Sequence, residues 1–433
     1  MNEIKDKAPL LTRLAEFISE FKEFEVDDET YKHSIKVLAD TYGTAFSGIK
    51  TDAFKKAIIN IELLFGKGDY NVWGTNEKTS LLGSIFYNSL AISSTDYDEG
   101  HRKAVGHPAS TVVPVAMVLG KHLLKSEKEI LKSTIIGYEI GTRFSMARKP
   151  ENIITYSTGR WGAIAASATA SYLLGLDANA ISNALSNAAV LSPVMLGGST
   201  DVSTGSMSKE GVAWSVQSGV QSALLAQNGF SGPYLFVDDH DDYINEILLA
   251  SLGDLWLINT NYFKPYSCCR WLHSAVNATE EIRKTEAFDV KEIEKIEVFT
   301  ALRILDLVGE KYPDNTVKAQ FHLPFVVAVM LNNGIVSPDF FQTEQLHNTS
   351  ILKLIDKIVL TADKNYTSVF PTKLPSRVEI TLNSKKVLSK EILVSPWDYG
   401  IHPDMLELKK KFDLQVIGLE YFNWESFISD FSY

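Results

Sequence analysis

Through most of the first 260 residues, apolar side chains recur at steps of three and four. In residues 29–49, Ile35, Leu38, Tyr42 and Phe46 share one face, which predicts an amphipathic helix with Asp27 or Asp28 placed to cap it. Residues 158–174 are rich in Ala, Ser and Gly, a composition that permits close helix–helix approach and predicts a buried helix. Gly175 ends it and Asp177 caps the next. Residues 209–227 predict another helix with Val212, Val216, Val220 and Leu224 on one face. Asn228-Gly229 and Ser231-Gly232-Pro233 stop it. Beyond about residue 265 the period shortens to two: Ile296, Val298 and Thr300 alternate with other residues, as do Val378, Ile380 and Leu382. Asn383-Ser384 separates the second run from a strand-like stretch at 391–394, and a helical pattern at 321–331 lies between the strand signals. Residues 405–412 return to helix. The fold expected is mainly α: a large all-helical domain formed by both chain ends, residues 1–265 and 400–433, with an inserted α+β domain over residues 266–399.

A chain of 433 residues that is 45% hydrophobic can bury a core that needs neither disulfides nor metals to hold it. Its two cysteines, Cys268 and Cys269, are adjacent, and a bridge between neighbours is strained, so a reducing, cytoplasmic setting is expected. The first residues mix charges of both signs with leucine rather than showing a basic start and an apolar run, and no stretch reads as a membrane span. A net charge of −11 argues against nucleic acid as a partner. It also means that any anionic ligand needs a local cluster of cations.

Four stretches could supply chemistry. The first runs Asp96-Tyr97-Asp98-Glu99-Gly100-His101 and continues to His107-Pro108, placing three carboxylates and two imidazoles on one loop after an apolar helix. Asp and His also ligate metals, but the spacing matches no standard cage, so no metal is assigned. The alternative is a solvated acidic loop with a capping Asp. The second stretch is Lys264-Pro265-Tyr266-Ser267-Cys268-Cys269-Arg270-Trp271-Leu272-His273, at the expected domain boundary where clefts form. There Arg270 and Lys264 could hold carboxylates and His273 could move protons; the alternative is a hinge strand with a buried histidine. No cue accompanies the cysteines for an activated thiolate. Third, Lys209 is expected to open a helix, where a bound anion would offset its unfavourable position against the helix dipole. Fourth, Arg160 in Thr158-Gly159-Arg160-Trp161-Gly162 is a candidate anion contact or a surface arginine. His322, in an apolar stretch, reads as a packed histidine, and His33 and His402 as ordinary solvent-type residues.

Taken in order, these segments resemble the MmgE/PrpD family, which includes 2-methylcitrate dehydratases, cis-aconitate decarboxylases and an iminodisuccinate epimerase. The likeness runs from Val37-Leu38-Ala39-Asp40-Thr41-Tyr42-Gly43 through the Asp-Tyr-Asp-Glu…His-Pro loop and Lys209-Glu210-Gly211. It continues through Asn228-Gly229-Phe230-Ser231-Gly232-Pro233, the 264–278 segment, Ala319-Gln320-Phe321 and Phe370-Pro371 with Leu374-Pro375-Ser376-Arg377-Val378. The resemblance implies a homodimer whose inserted domain acts as a lid over an active site free of metal and organic cofactor. It implies Asp96, His107, Lys209 and His273 as catalytic residues. Arg160, Lys264, Arg270, Tyr156 and His101 are expected to bind substrate. Gly100, Tyr156 and Phe325 stand where decarboxylase-like or many other members carry Thr, His and Tyr. The activity expected is a dehydratase-like lyase acting on a small di- or tricarboxylate by proton abstraction next to a carboxylate. Epimerisation, decarboxylation, or carboxylate binding without chemistry are the alternatives.

Overall fold

The structure is a computed structural model that describes residues 8–153, 155, 157–193, 204–239, 241–419 and 422–431. Its longer helices are α1 (Leu10–Glu20), α2 (Asp28–Gly48), α3 (Leu81–Ser93), α4 (Pro108–His122), α5 (Glu127–Met146), α6 (Gly162–Leu174), α7 (Ala178–Val190), α8 (Val212–Gln227), α9 (His273–Thr285), α10 (Leu323–Asn333) and α11 (Met405–Gln415). Their starts follow local chemistry. Asp27 accepts from the Thr30 N–H at the head of α2, Asp177 does the same for Ala180 at α7, and Ser126 with Glu129 closes a reciprocal capping box on α5.

Helix α6 is buried on nearly every side and lies against α4, α5, α7 and α8. Small residues make this possible. A Cβ on Gly137 of α5 would sit 1.8 Å from Thr169 Oγ1, and one on Gly219 of α8 would sit 2.2 Å from the Ala163 carbonyl oxygen. The C-terminal segment returns to this core: Leu408, Phe412, Trp424, Phe427 and Phe431 share a hydrophobic cluster with Leu11, Leu38, Phe46 and Ile136.

A second hydrophobic cluster gathers residues between Tyr266 and Leu388. It is built on a four-stranded mixed sheet of β1 (Ile293–Thr300), β2 (Ile358–Ala362), β3 (Ser376–Leu382) and β4 (Val387–Ile392), in the order β2-β1-β3-β4. Strand β1 pairs parallel with β2 and antiparallel with β3, with Ile296 opposite both Ile358 and Ile380. The period-two expectation holds for β3, whose residues alternate buried and half-buried, while the strand-like stretch at 391–394 is displaced to β4. Edge strand β2 gave no alternation signal; it is half-exposed along its length. Among the described residues, no helix is long and apolar enough to cross a membrane.

One helix start moved. Lys209 does not open α8. Lys209, Glu210 and Gly211 all adopt left-handed backbone conformations (φ +44°, +62° and +67°), and regular helix begins at Val212. The proposed pairing of Lys209 with a helix N-terminus therefore gives way to a lysine carried on a tight turn.

Candidate active site

The loop between α3 and α4, residues 94–107, crosses the buried region between the helical core and the 266–388 cluster. Its backbone carbonyls are held by side chains from distant parts of the chain. Ser94 O accepts from Gln320 Nε2 (3.1 Å), Thr95 O from Ser267 Oγ (2.9 Å), Asp96 O from Lys264 Nζ (2.9 Å) and Tyr97 O from Lys411 Nζ (2.7 Å). Glu99 O accepts from His107 Nδ1 (2.8 Å). Asp96 sits at φ +50°, and both its carbonyl and its Oδ1 face the Lys264 ammonium, each at 2.9 Å. A non-glycine residue in this conformation carries backbone strain that the surrounding bonds must hold.

His107 completes the cluster. Because a carbonyl can only accept, the Nδ1···Glu99 contact places a proton on Nδ1 and leaves Nε2 facing Asp96 Oδ1 at 3.6 Å. Asp98 Oδ2 lies 3.4 Å from Nδ1 on the other side. Burial alone would lower the His107 pKa, but Asp98, Glu210 and Asp96 outweigh it and hold the imidazole above its ordinary value. Burial pushes Asp96 up, yet Lys264, Lys209 and His107 together keep its carboxylate well below the usual range. At Asp98, burial and the Asp96 charge outweigh the pull of His107 and Lys264 and raise its pKa. Glu99, whose carboxylate accepts from Ala109 N–H, Tyr138 Oη and Asn261 Nδ2, is pushed by burial up to about 7. Asp96, Asp98 and His107, with ligand atoms within 4.8 Å of one another and pKa values driven apart by their surroundings, mark a candidate proton-transfer site.

Lys209 reaches the same region from its strained turn. Its ammonium donates to Gln320 Oε1 (2.9 Å) and lies 5.3 Å from the Phe321 ring centroid. Glu210 anchors the turn by accepting from Thr158 N–H (2.8 Å) and Thr158 Oγ1 (2.6 Å). Thr158 Oγ1 in turn accepts from the His107 N–H (3.1 Å), so the Glu210 carboxylate and the His107 backbone meet through one hydroxyl.

Asp96, His107, Lys209 and Lys264 are therefore brought together, and the other expected residues are placed differently. His273 does not offer a proton to a ligand. Its Nδ1 accepts from Arg270 Nη1 (3.2 Å) and its Nε2 donates to Cys268 O (3.2 Å), and burial holds its pKa well below the usual value. Arg270 is buried, with Nη1 donating to Pro396 O (3.0 Å), Asp398 Oδ2 at 3.3 Å from Nη2 and its guanidinium over the Tyr262 ring, while Nε and Nη2 make no hydrogen bond among the described residues. His101 is a buried loop clasp: Ala104 N–H donates to its Nδ1, its Nε2 bonds Thr260 Oγ1, and burial lowers its pKa to about 3. Arg160 is half-buried and within electrostatic reach of Tyr243, outside the Asp96–His107 contacts. Tyr156 lies outside the described residues. Phe325 is buried in the second core against Phe341. Burial pushes the Cys269 thiol up to about 12, which leaves no thiolate for covalent chemistry. His33 is buried and bonded to Asn261 Oδ1 (2.8 Å), not solvent-facing as its sequence neighbours suggest.

Asp98, Asn261, Thr158 and Lys411 were not singled out as individual site members in the sequence, and for the last three no local pattern marks them. Asp96, Asp98 and His107 offer ligand atoms within 4.8 Å of one another, enough to approach a divalent cation. The Lys264 ammonium on Asp96 Oδ1 already supplies positive charge at that carboxylate.

The MmgE/PrpD N-terminal domain model matches residues 12–248 and the MmgE/PrpD C-terminal domain model matches residues 266–414. Cis-aconitate decarboxylase of Mus musculus is 24% identical over 381 residues, covering 82% of this chain and 76% of the mouse protein. Cis-aconitate decarboxylase of Aspergillus terreus (strain NIH 2624 / FGSC A1156) is 20% identical over 356 residues, covering 75% of this chain and 72% of the fungal protein. Relatives of this kind support a lyase-type activity in general terms. With both domain models matched in order along nearly its whole length, the chain belongs to the MmgE/PrpD family.

Proposed function

We propose that the protein is a lyase acting on a small di- or tricarboxylate, and that the Asp96–Lys264–His107–Asp98 cluster carries the reaction. The observation behind this reading is the charge state of the cluster. Two ammonium groups act on an Asp96 carboxylate held well below the usual range, while Asp98, Glu210 and Asp96 hold the His107 pKa above its ordinary value. Such a site is rich in cations and acid and poor in strong base.

That balance favours decarboxylation over the dehydration expected from sequence. Loss of CO2 needs no base: the electron pair of the breaking C–C bond stays on the substrate, delocalised onto a second carboxylate. Lys264 and Lys209 stabilise that charge, and His107 Nε2 delivers one proton to the carbon. Water later returns the proton to the imidazole. Dehydration is the second reading, supported by Asp98, whose raised carboxyl could protonate a leaving hydroxyl. Cis-aconitate is the first substrate to test because the relatives named above act on it.

The unit spanning residues 266–399 is proposed as a lid, since Gln320 and Ser267 from that unit hold the Ser94 and Thr95 carbonyls of the loop. A homodimer is proposed as well. The end of α7 and the 230–235 segment, joined by Asn183 Oδ1 accepting from Gly232 N–H (2.8 Å), expose Val190, Leu191, Phe230, Tyr234 and Leu235, apolar surface proposed to meet a second copy. Light scattering at dilute concentration reads this directly, and a single-chain mass removes the dimer.

Proton NMR in deuterated buffer with cis-aconitate, citrate and 2-methylcitrate tests the activity. Release of CO2 with one deuterium in the product supports the carboxy-lyase reading. A new vinyl signal without CO2 indicates dehydration, and exchange without net product indicates epimerisation. Thermal stabilisation by these acids with no exchange in any of them would leave a binding protein and sink the lyase reading.

A further inference from the structure

Residues 100 and 262 face each other as an isolated antiparallel pair. Gly100 N–H donates to Tyr262 O (3.0 Å) and Tyr262 N–H donates to Gly100 O (2.8 Å). This pairing folds the phenol over the catalytic loop. A Cβ on residue 100 would lie 2.3 Å from Tyr262 Oη and 2.5 Å from Cζ, so glycine leaves the space that the hydroxyl occupies. The ring itself is clamped beneath Arg270, whose guanidinium lies 4.8 Å from the centroid.

The hydroxyl has no hydrogen-bond partner among the described residues; although Tyr262 is only 8% exposed, its oxygen is not one of the fully enclosed unpartnered atoms and so keeps an opening toward solvent or a ligand. Its electrostatic neighbours are Lys264, Arg270, Asp96 and Glu99, two of which are the cation and the anion at the centre of the candidate site. Burial outweighs the pull of Lys264 and Arg270 and holds the phenol above its ordinary pKa. It therefore stays protonated and acts as a donor.

We propose that Tyr262 is a further catalytic residue: its unpartnered hydroxyl, beside Lys264 and Asp96, donates a hydrogen bond to the substrate oxygen on which negative charge gathers in the reaction. The proton stays on tyrosine, and no covalent bond forms or breaks there. This inference rests on the lyase reading above. A single preorganised donor to a developing oxyanion is worth about 10²-fold or more in rate.

The test is Tyr262→Phe in the full chain, which keeps the ring under Arg270 and removes only the hydroxyl. With cis-aconitate, kcat should fall about 10²-fold, while KM, the thermal midpoint and both limbs of the pH profile stay near the parent's. Gly100→Ala, which drives the ring aside, should lower kcat as well. A kcat for Tyr262→Phe equal to the parent's overturns the inference. Disappearance of the basic limb in Tyr262→Phe also overturns it, because the tyrosine would then be giving up its proton. If the parent turns over no carboxylate, the lyase reading itself falls, and the contact is read from binding instead. Citrate must then stabilise the parent more than Tyr262→Phe, and equal thermal shifts refute the hydroxyl's role.

Discussion

At the scale of single residues, the site works by opposing burial with neighbouring charge. His107 would titrate low in an apolar interior, yet Asp98 and Asp96 on either side raise it. Its folded pKa thus exceeds the ordinary 6.5, so the stability contributed by the charged imidazole is present below that value and is lost as pH rises through the raised one. If the protonated form supplies the proton, the rate falls on the same basic limb. Asp98→Asn removes the anion that raises His107 most, and the basic limb of kcat should move toward acid pH. A limb that stays in place would show that another group sets it. His107→Gln should lower turnover by ~10²- to 10⁴-fold, the usual span for one general acid, with the circular dichroism spectrum unchanged. The candidate cluster was partly legible beforehand, because three carboxylates and two histidines on one loop are a dense set. What was not legible is which histidine is a clasp. His101 and His107 look alike along the chain, and only their partners, Thr260 with Ala104 for one and Asp98 with Glu99 for the other, separate them.

At the scale of elements, the turn at 209–211 shows why helical periodicity overreached. Val212, Val216, Val220 and Leu224 do mark α8, but extending the pattern back to Lys209 assumed that helix is the only way to fill that space. Instead Lys209 and Glu210 take left-handed conformations, each at a cost of about 1–3 kcal/mol for a residue bearing a Cβ. The carboxylate of Glu210, bonded twice to Thr158, holds them there. Glu210→Gln weakens that anchor, leaves Thr158 Oγ1 and through it the His107 backbone less fixed, and lets Lys209 drift from Gln320. The expected outcome is a drop in kcat greater than the change in KM, with a thermal midpoint close to the parent's. An unchanged kcat would mean that the turn holds its shape without this bond. The helix caps behave more simply: Asp27→Ala at the head of α2 removes the acceptor for the Thr30 N–H and should cost about 1 kcal/mol in chemical denaturation.

At the scale of the whole molecule, α11 comes from the far end of the chain to hold the 94–107 loop. Lys411 donates to Asp40 Oδ1 (2.6 Å) on α2 and to Tyr97 O (2.7 Å), and its ammonium lies 4.0 Å from the Tyr97 ring centroid. Both partners of the ion pair are almost fully buried. Removing one buried partner strands the other's charge, so Lys411→Met should destabilise by ~3–5 kcal/mol. The double change Lys411→Met with Asp40→Asn should recover part of the loss, and a double-mutant cycle by urea denaturation measures the coupling. Additive effects would show that the two groups do not depend on each other. Because Tyr97 sits between Asp96 and Asp98, the single variant should also slow turnover in the fraction that remains folded.

Some of this was set by local chemistry alone. Asp27, Asp177 and the Ala/Ser/Gly run of α6 predicted where helices begin and how closely they pack, since capping and side-chain size act within a few residues. The period-two runs of β1 and β3 predicted strands because one face of each is buried. Asp96, His107, Lys209 and Lys264 could be named as chemically able residues for the same reason. The sequence could not show that loop 94–99 would receive bonds from Lys264, Ser267, Gln320 and Lys411, separated from it by 168 to more than 300 positions. Nor could it show that Arg270 Nη1 would be turned onto His273 and Pro396 while the Tyr262 hydroxyl was left without a protein partner. Those outcomes follow from which groups burial forces together. A buried ion or donor takes whatever partner the packed core brings within reach, and the distance along the chain carries no information about that.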